Sequence, residues 1–258
     1  LLSAEDAEGN IFGEELEKIG WKGTEPVGEQ KIHCYYELHI EQGPVLETEE
    51  IDIGVVTHGQ GLKWLEVQLS GTEQHTGTTP MHVRKDTSLA MSEIILAVNN
   101  IAYKNQPNAL GSVGHIEVSP NSRNVIAGHS IFTIDFRSPD ITKLDKMENE
   151  LKLLAIDICK KYKVNFNMKQ IGGFDPVTFD KDCLTNIRKS AEKFGYTYKD
   201  IVSGAGHDAC WINSVAPSAM IMCPCVDGLS HNEAEEIKPH WAGSSTNVLL
   251  HAAIASAS

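Results

Sequence analysis

The chain has 258 residues, 41% hydrophobic and 22% charged, with a formal net charge of −13; this is enough for one large domain or two ordinary ones with a buried core. Its 22 basic residues are scattered apart from "ICKKYK", which argues against a nucleic-acid surface built on clustered Lys and Arg. No run of about 18 apolar residues occurs, and "LLSAEDAEGN" lacks a basic segment followed by an apolar one, so neither a membrane span nor a signal peptide is expected and the chain reads as cytoplasmic.

The first residues, Leu1-Leu2, lead without Met into an acidic, helix-like stretch around Glu14-Glu15, as the middle of a longer protein would. Strands are expected at "KIHCYYELHI" (31–40) and "IDIGVVTH" (51–58). In "LKWLEVQLSG" (62–71), Leu65, Val67 and Leu69 recur at every second residue, the period of a half-buried strand. Asp86 is placed to cap a helix carrying Leu89, Ile94, Ile95, Val98 and Ile101. "GSVGHIEV" and "SIFTIDFRS" read as a strand pair joined through Pro-Asn-Ser and Ala-Gly, with Phe132, Ile134 and Phe136 on one face. Leu144, Met147, Leu151, Leu154, Ile158 and Tyr162 form a long helical stripe, and "VNFNM" alternates as a last strand.

The order β-α-β-β-α-β across about 60–170 is that of a ferredoxin-like unit. After it come a helix near 180–194, "IVSGAGHDACW" with Asp208 as a helix cap, strand "PSAMIMC", and a helix from about 241. The expected fold class is α/β: a catalytic α/β domain from 1–59 and 175–258, interrupted by an inserted domain at 60–174. Six cysteines include the close pair in "MCPC" but no second pair to complete a four-thiolate zinc site, so buried free thiols are expected.

Polar motifs interrupt this pattern. His39 ends an apolar-aromatic run in "CYYELHIEQGPVLE", His75 lies in the Gly/Thr-rich "SGTEQHTGTTPM", "SGAGHDA" (203–209) forms a small-residue turn, and His231 lies in "DGLSHNEAEE". Singly, each has a bland reading as a strand-end imidazole, a loop histidine, a helix cap or a solvated turn. Jointly, and with "NVIAG" and "IDFRS", they resemble the peptidase M20 family, in its branch of N-carbamoyl-L-amino acid hydrolases, β-ureidopropionases and allantoate amidohydrolases. The resemblance spans essentially the whole chain.

It implies a metal-dependent amidohydrolase that cleaves the carbamoyl C–N bond of an N-carbamoyl amino acid or allantoate, giving amino acid, CO2 and ammonia. It further implies two divalent metal ions, zinc or manganese, with His39 a ligand to one and His231 to the other. Gln42, Asn124, Arg137 and Ser203 correspond to substrate contacts, and His75 to the catalytic donor at the carbonyl oxygen. The inserted domain would be a lid and a homodimer interface whose residues serve the neighbouring subunit's site. The family's earlier ligands and general base, a His-x-Asp motif and paired glutamates, have no counterpart in residues 1–38, so two of five protein ligands are expected here. A non-catalytic binding or dimerisation module on the same fold is the alternative.

Overall fold

The computed structural model describes every residue except Ala7, Val27 and Ser258. It divides into two compact units, Leu1–His33 and Cys34–Ser258. The first carries helix α1 (Phe12–Lys18), with Glu14 and Glu15 in its first turn and Lys18 in its last, the polarity that complements a helix dipole.

The second unit opens with β1 (Tyr35–Ile40), α2 (Val45–Thr48) and β2 (Ile53–Gly59). It continues through β3 (Gly61–Ser70), β4 (Gln74–His75), α3 (Thr87–Lys104), β5 (Leu110–Ser119), β6 (Val125–Ile126), β7 (His129–Ser138), α4 (Ile141–Tyr162) and β8 (Asn165–Phe174). It closes with β9 (Val177–Thr178), α5 (Lys181–Phe194), β10 (Tyr198–Ser203), α6 (Asp208–Ile212), β11 (Ser218–Cys223) and α7 (Pro239–Ser256).

Two sheets organise these elements. In the first, the order is β1-β11-β2-β10, with β9 beside β2. β1 runs parallel to β11 and β10 parallel to β2, while β11 and β2 are antiparallel. Ile53, Val55 and Val56 of β2 and Ala219, Met220 and Ile221 of β11 are fully buried, as expected of central strands covered on both faces, here joined in one core to Ile187 of α5 and Val248 of α7. The second sheet is antiparallel, in the order β5-β7-β3-β8. α3 and α4 cover one face of it. Leu65, Val67, Leu69, Phe132, Ile134 and Phe136 point into that core, each such side chain contributing about 1.5–3 kcal/mol by leaving water.

The six elements expected at 60–170 therefore occur in the expected order, and Asp86 caps α3 by accepting from the N–H of Ser88 and Leu89. Several details differ. The first strand begins at Tyr35, so Lys31–Cys34 lie outside it. Leu89 and Leu154 are 42% and 41% exposed; the buried stripes run instead through Ala90, Met91 and Ala102 on α3 and through Ala155 and Cys159 on α4. β10 has no counterpart in the sequence reading, because Lys199 and Asp200 break the apolar run of "YKDIVS". Asp208 is not a cap: His207 holds the N-cap position of α6 without a side-chain cap bond, and Asp208 lies in the first turn. All six cysteines are free, four buried and two, Cys34 and Cys210, half-buried.

Candidate functional site

Side chains alternate across a strand, so Tyr35, Glu37 and His39 share one face of β1. On that face the ring of His39 meets the ring of His207 edge-on, with centroids 4.7 Å apart. His39 Nδ1–H donates to the Ile40 carbonyl at 2.9 Å, which leaves the Nε2 lone pair free to bind a cation. His207 is held from both sides. Ser203 Oγ lies 2.7 Å from its Nε2, and a carboxylate oxygen of Glu37 lies 3.6 Å from its Nδ1. Ser203 Oγ is further tied to Ala205, donating to its carbonyl at 3.3 Å and accepting from its N–H at 3.2 Å. Glu37 also accepts from the Ala209 N–H at 2.7 Å, tying β1 to α6. Burial, with a further contribution from His39, depresses His207 from 6.5 to about 4, which keeps this imidazole neutral.

The loops after β1 and β11 converge because these strands are parallel and paired, His39 opposite Met222 and Ile40 opposite Cys223. Gln42, at φ 58°, donates from Nε2 to Ser230 Oγ at 2.7 Å. Gly228 (φ 64°) has no room for a side chain, since a Cβ there would lie 2.5 Å from Gly43 C and Pro44 N. This clasp carries His231 (φ 53°) to the loop that holds Gln42. His231 is exposed, its backbone N–H donates to Glu235 at 3.3 Å, and its ring nitrogens have no hydrogen bond among the described residues. His39, Gln42 and His231 thus belong to loops and strand ends on the carboxyl side of the parallel β1–β11 pair, where open α/β sheets place ligands, while Ser203 ends the oppositely directed β10 and is tied to His39 through His207.

Arg137 reaches this region from the second sheet. Its Nη1 donates to the Gly204 carbonyl at 2.6 Å, and its Nε and Nη2 bind Asp135 at 3.0 and 2.7 Å. Asp135 raises the guanidinium pKa further. Of five N–H groups two remain, one on each terminal nitrogen, enough for a two-pronged bond to a carboxylate.

His75 and Asn124 are brought to one another but not to Arg137. β4 pairs with β6, setting His75 opposite Val125, and the Thr76 N–H donates to the Asn124 carbonyl at 3.1 Å. His75 Nδ1 accepts from the N–H groups of Gly77 and Thr78 at 3.0 and 3.3 Å, so its proton is on Nε2, a donor pointing away from its own loop. Arg137 is in register with Leu62 at the start of β3, whereas β4 and β6 follow the far end, where Ser70 faces His129. Eight strand steps, about 26 Å, separate those two levels of the sheet.

A family model, Peptidase family M20/M25/M40, matches residues 10–255. The chain belongs to this family. It is 54% identical over 252 residues to the N-carbamoyl-L-amino-acid amidohydrolase of Rhizobium meliloti, covering 98% of this chain and 61% of that protein. It is 34% identical over 233 residues to the allantoate amidohydrolase of Escherichia coli, covering 89% of this chain and 56% of that protein. Among solved structures, an amidase of the hydantoinase/carbamoylase family from Burkholderia multivorans superposes with a TM-score of 0.92 at 46% identity, covering 99% of this chain and 62% of that one. The chain thus spans about three fifths of the length of these relatives. No helix among the described residues is long and apolar enough to cross a membrane.

Sequence reasoning passed over Glu37 and gave His207 no role, assigning the cap in "SGAGHDA" to Asp208. The spacing Glu37-x-His39 was the available signal, since it puts a carboxylate and an imidazole on one strand face.

Proposed function

We propose that the protein is an amidohydrolase that cleaves the carbamoyl C–N bond of an N-carbamoyl amino acid, releasing amino acid, CO2 and ammonia, as a cytoplasmic homodimer. The similarity to the Rhizobium meliloti enzyme carries this reading. In it, residues 60–174 form the inserted ferredoxin-like lid and dimerisation domain, and 1–59 with 175–258 form part of the catalytic domain.

The donor set on this chain suits a divalent metal in part. His39 fits, with Nδ1–H anchored on a carbonyl and Nε2 free. On the clasped loop, His231 offers a ring that has no hydrogen bond among the described residues. Among the described residues no group of three His, Cys, Asp or Glu side chains gathers. As the family resemblance implies, His39 and His231 would hold one zinc or manganese ion each, with further ligands and the general base to come from other residues of the protein. When bound, the ions acidify water and polarise the ureido carbonyl.

The chain's own groups do the rest. Arg137 grips the substrate carboxylate through its two free N–H groups, Gln42 lines the strand-end side, the buried Ser203 holds His207, and His207 keeps the His39 ring in place. His75 donates its Nε2–H to the developing oxyanion. The sheet level of Arg137 and the far end of β3, after which His75 follows, are about 26 Å apart, which supports a dimer in which His75 and Asn124 serve the partner subunit. The non-catalytic alternative gains nothing from relatives that are named as hydrolases.

Ammonia release by the full-length protein tests this reading, with N-carbamoyl-L-α-amino acids, N-carbamoyl-β-alanine, allantoate and dipeptides as substrates. Turnover of a carbamoyl substrate is expected; activity confined to dipeptides would overturn it.

A further inference from the structure

Arg137 does not sit alone on the helix-free face of the second sheet. Asp135, two residues earlier on the same face, takes its Nε at 3.0 and 3.2 Å and its Nη2 at 2.7 Å. Trp64, opposite Asp135 on β3, donates from Nε1 to the same Asp135 oxygen that holds Nη2, at 3.1 Å. The indole is itself seated. Gly172 of β8 lies opposite Trp64, and a Cβ there would come within 3.0 Å of indole Cε3, closer than ordinary contact allows.

We propose that Asp135 and Trp64 are positioning residues for Arg137. They fix the side-on edge of its guanidinium so that its two free N–H groups are presented to the substrate carboxylate. This rests on the carboxylate-binding role of Arg137 given above. A guanidinium on a flexible stem loses rotamer freedom when it binds; one already fixed on two bonds has lost most of it beforehand. A carboxylate held on Arg137 could otherwise compete only with water, but Asp135 occupies the side-on edge permanently, which restricts the ligand to the terminal nitrogens. Trp64 in turn keeps Asp135 from rotating toward those nitrogens. With one Nη1–H resting on the Gly204 carbonyl, the guanidinium is oriented in all three directions before substrate arrives.

The test uses full-length protein carrying Asp135→Asn, Trp64→Phe, or Asp135→Glu as the conservative control. KM and kcat are measured on an N-carbamoyl-L-α-amino acid and on the matching N-carbamoyl amine that lacks the carboxylate. Asp135→Asn is expected to raise KM about tenfold for the carboxylate substrate with kcat within twofold, Trp64→Phe to do so about threefold, and Asp135→Glu to recover part of the loss. The amine should be unaffected, and adding Asp135→Asn to Arg137→Ala should change nothing further. A lower melting temperature with unchanged KM, or equal losses on both substrates, would mean a structural role and overturns the proposal. Absence of turnover in the unsubstituted protein would sink the functional reading instead. The Arg137 Nε–Hε resonance in nitrogen-15 NMR then decides for the positioning pair: both variants should speed its solvent exchange, and an unchanged signal overturns the proposal.

Discussion

Replacing His75 with Ala should separate chemistry from folding. In the structure His75 contributes two things: Nδ1 accepts from the backbone N–H of Gly77 and Thr78, and Nε2–H is left as an outward donor. The side chain is exposed, so water takes over the two freed N–H groups and the stability cost stays below about 1 kcal/mol, or about 2–4 °C in Tm for a chain of this size. Loss of a donor aimed at a developing oxyanion costs about 2.7–4 kcal/mol, so kcat should fall by about 10²–10³. KM should move little, because the donor matters most as charge develops. His75→Gln places an amide N–H within reach of the same region and should recover part of kcat. Steady-state kinetics on the full-length protein, with a thermal melt of each variant, reads both quantities. A kcat within twofold of the unsubstituted protein for His75→Ala would refute the assignment. A Tm drop of about 10 °C would instead make the loop, not the donor, the reason for any loss.

Other outcomes follow from the same geometry. Arg137→Ala should cost about 2–4 kcal/mol in kcat/KM, mostly as KM, for substrates bearing a carboxylate. Gly228→Ala puts a Cβ into Gly43 and Pro44 at a positive φ, so it should loosen the clasp carrying His231 and lower zinc or manganese affinity, read by equilibrium dialysis of the full-length protein. Burial raises the Cys159 thiol from 9.0 to about 11. The unfolded chain therefore loses this proton first, and stability should fall by about 2–3 kcal/mol as pH rises from 9 to 11; urea melts of Cys159→Ala should lack that part of the decline. Removing the α3 cap with Asp86→Ala should cost about 1 kcal/mol in the same melts.

The second sheet was legible because β3 and β7 alternate and α3 begins at the Asp86 cap, so local pattern and tertiary structure agree there. β10 was hidden by Lys199 and Asp200, tolerated where a strand lies at the sheet edge beside β2. The exposed Leu89 and Leu154 misled the stripes, since hydrophobic identity says nothing about which flank of a helix meets the sheet. In the site, His39 and His231 were visible as motifs, but their setting was not. Parallel pairing of β1 with β11 and the Gln42–Ser230 bond join loops almost 190 residues apart. Likewise the small β4–β6 pairing, which joins His75 to Asn124, has only two residues on each side and no periodicity to read.

The central claim is hydrolysis of a ureido carbonyl by this family member, and carbon-13 NMR observes it directly. An N-carbamoyl-L-α-amino acid labelled at the carbamoyl carbon is incubated with the full-length, zinc- or manganese-loaded protein and with its His39→Ala variant. The unsubstituted protein is expected to convert the ureido signal to bicarbonate with one equivalent of ammonia, while the variant leaves it in place. A persistent ureido signal in a sample that cleaves dipeptides, or equal conversion by both proteins, would contradict that claim.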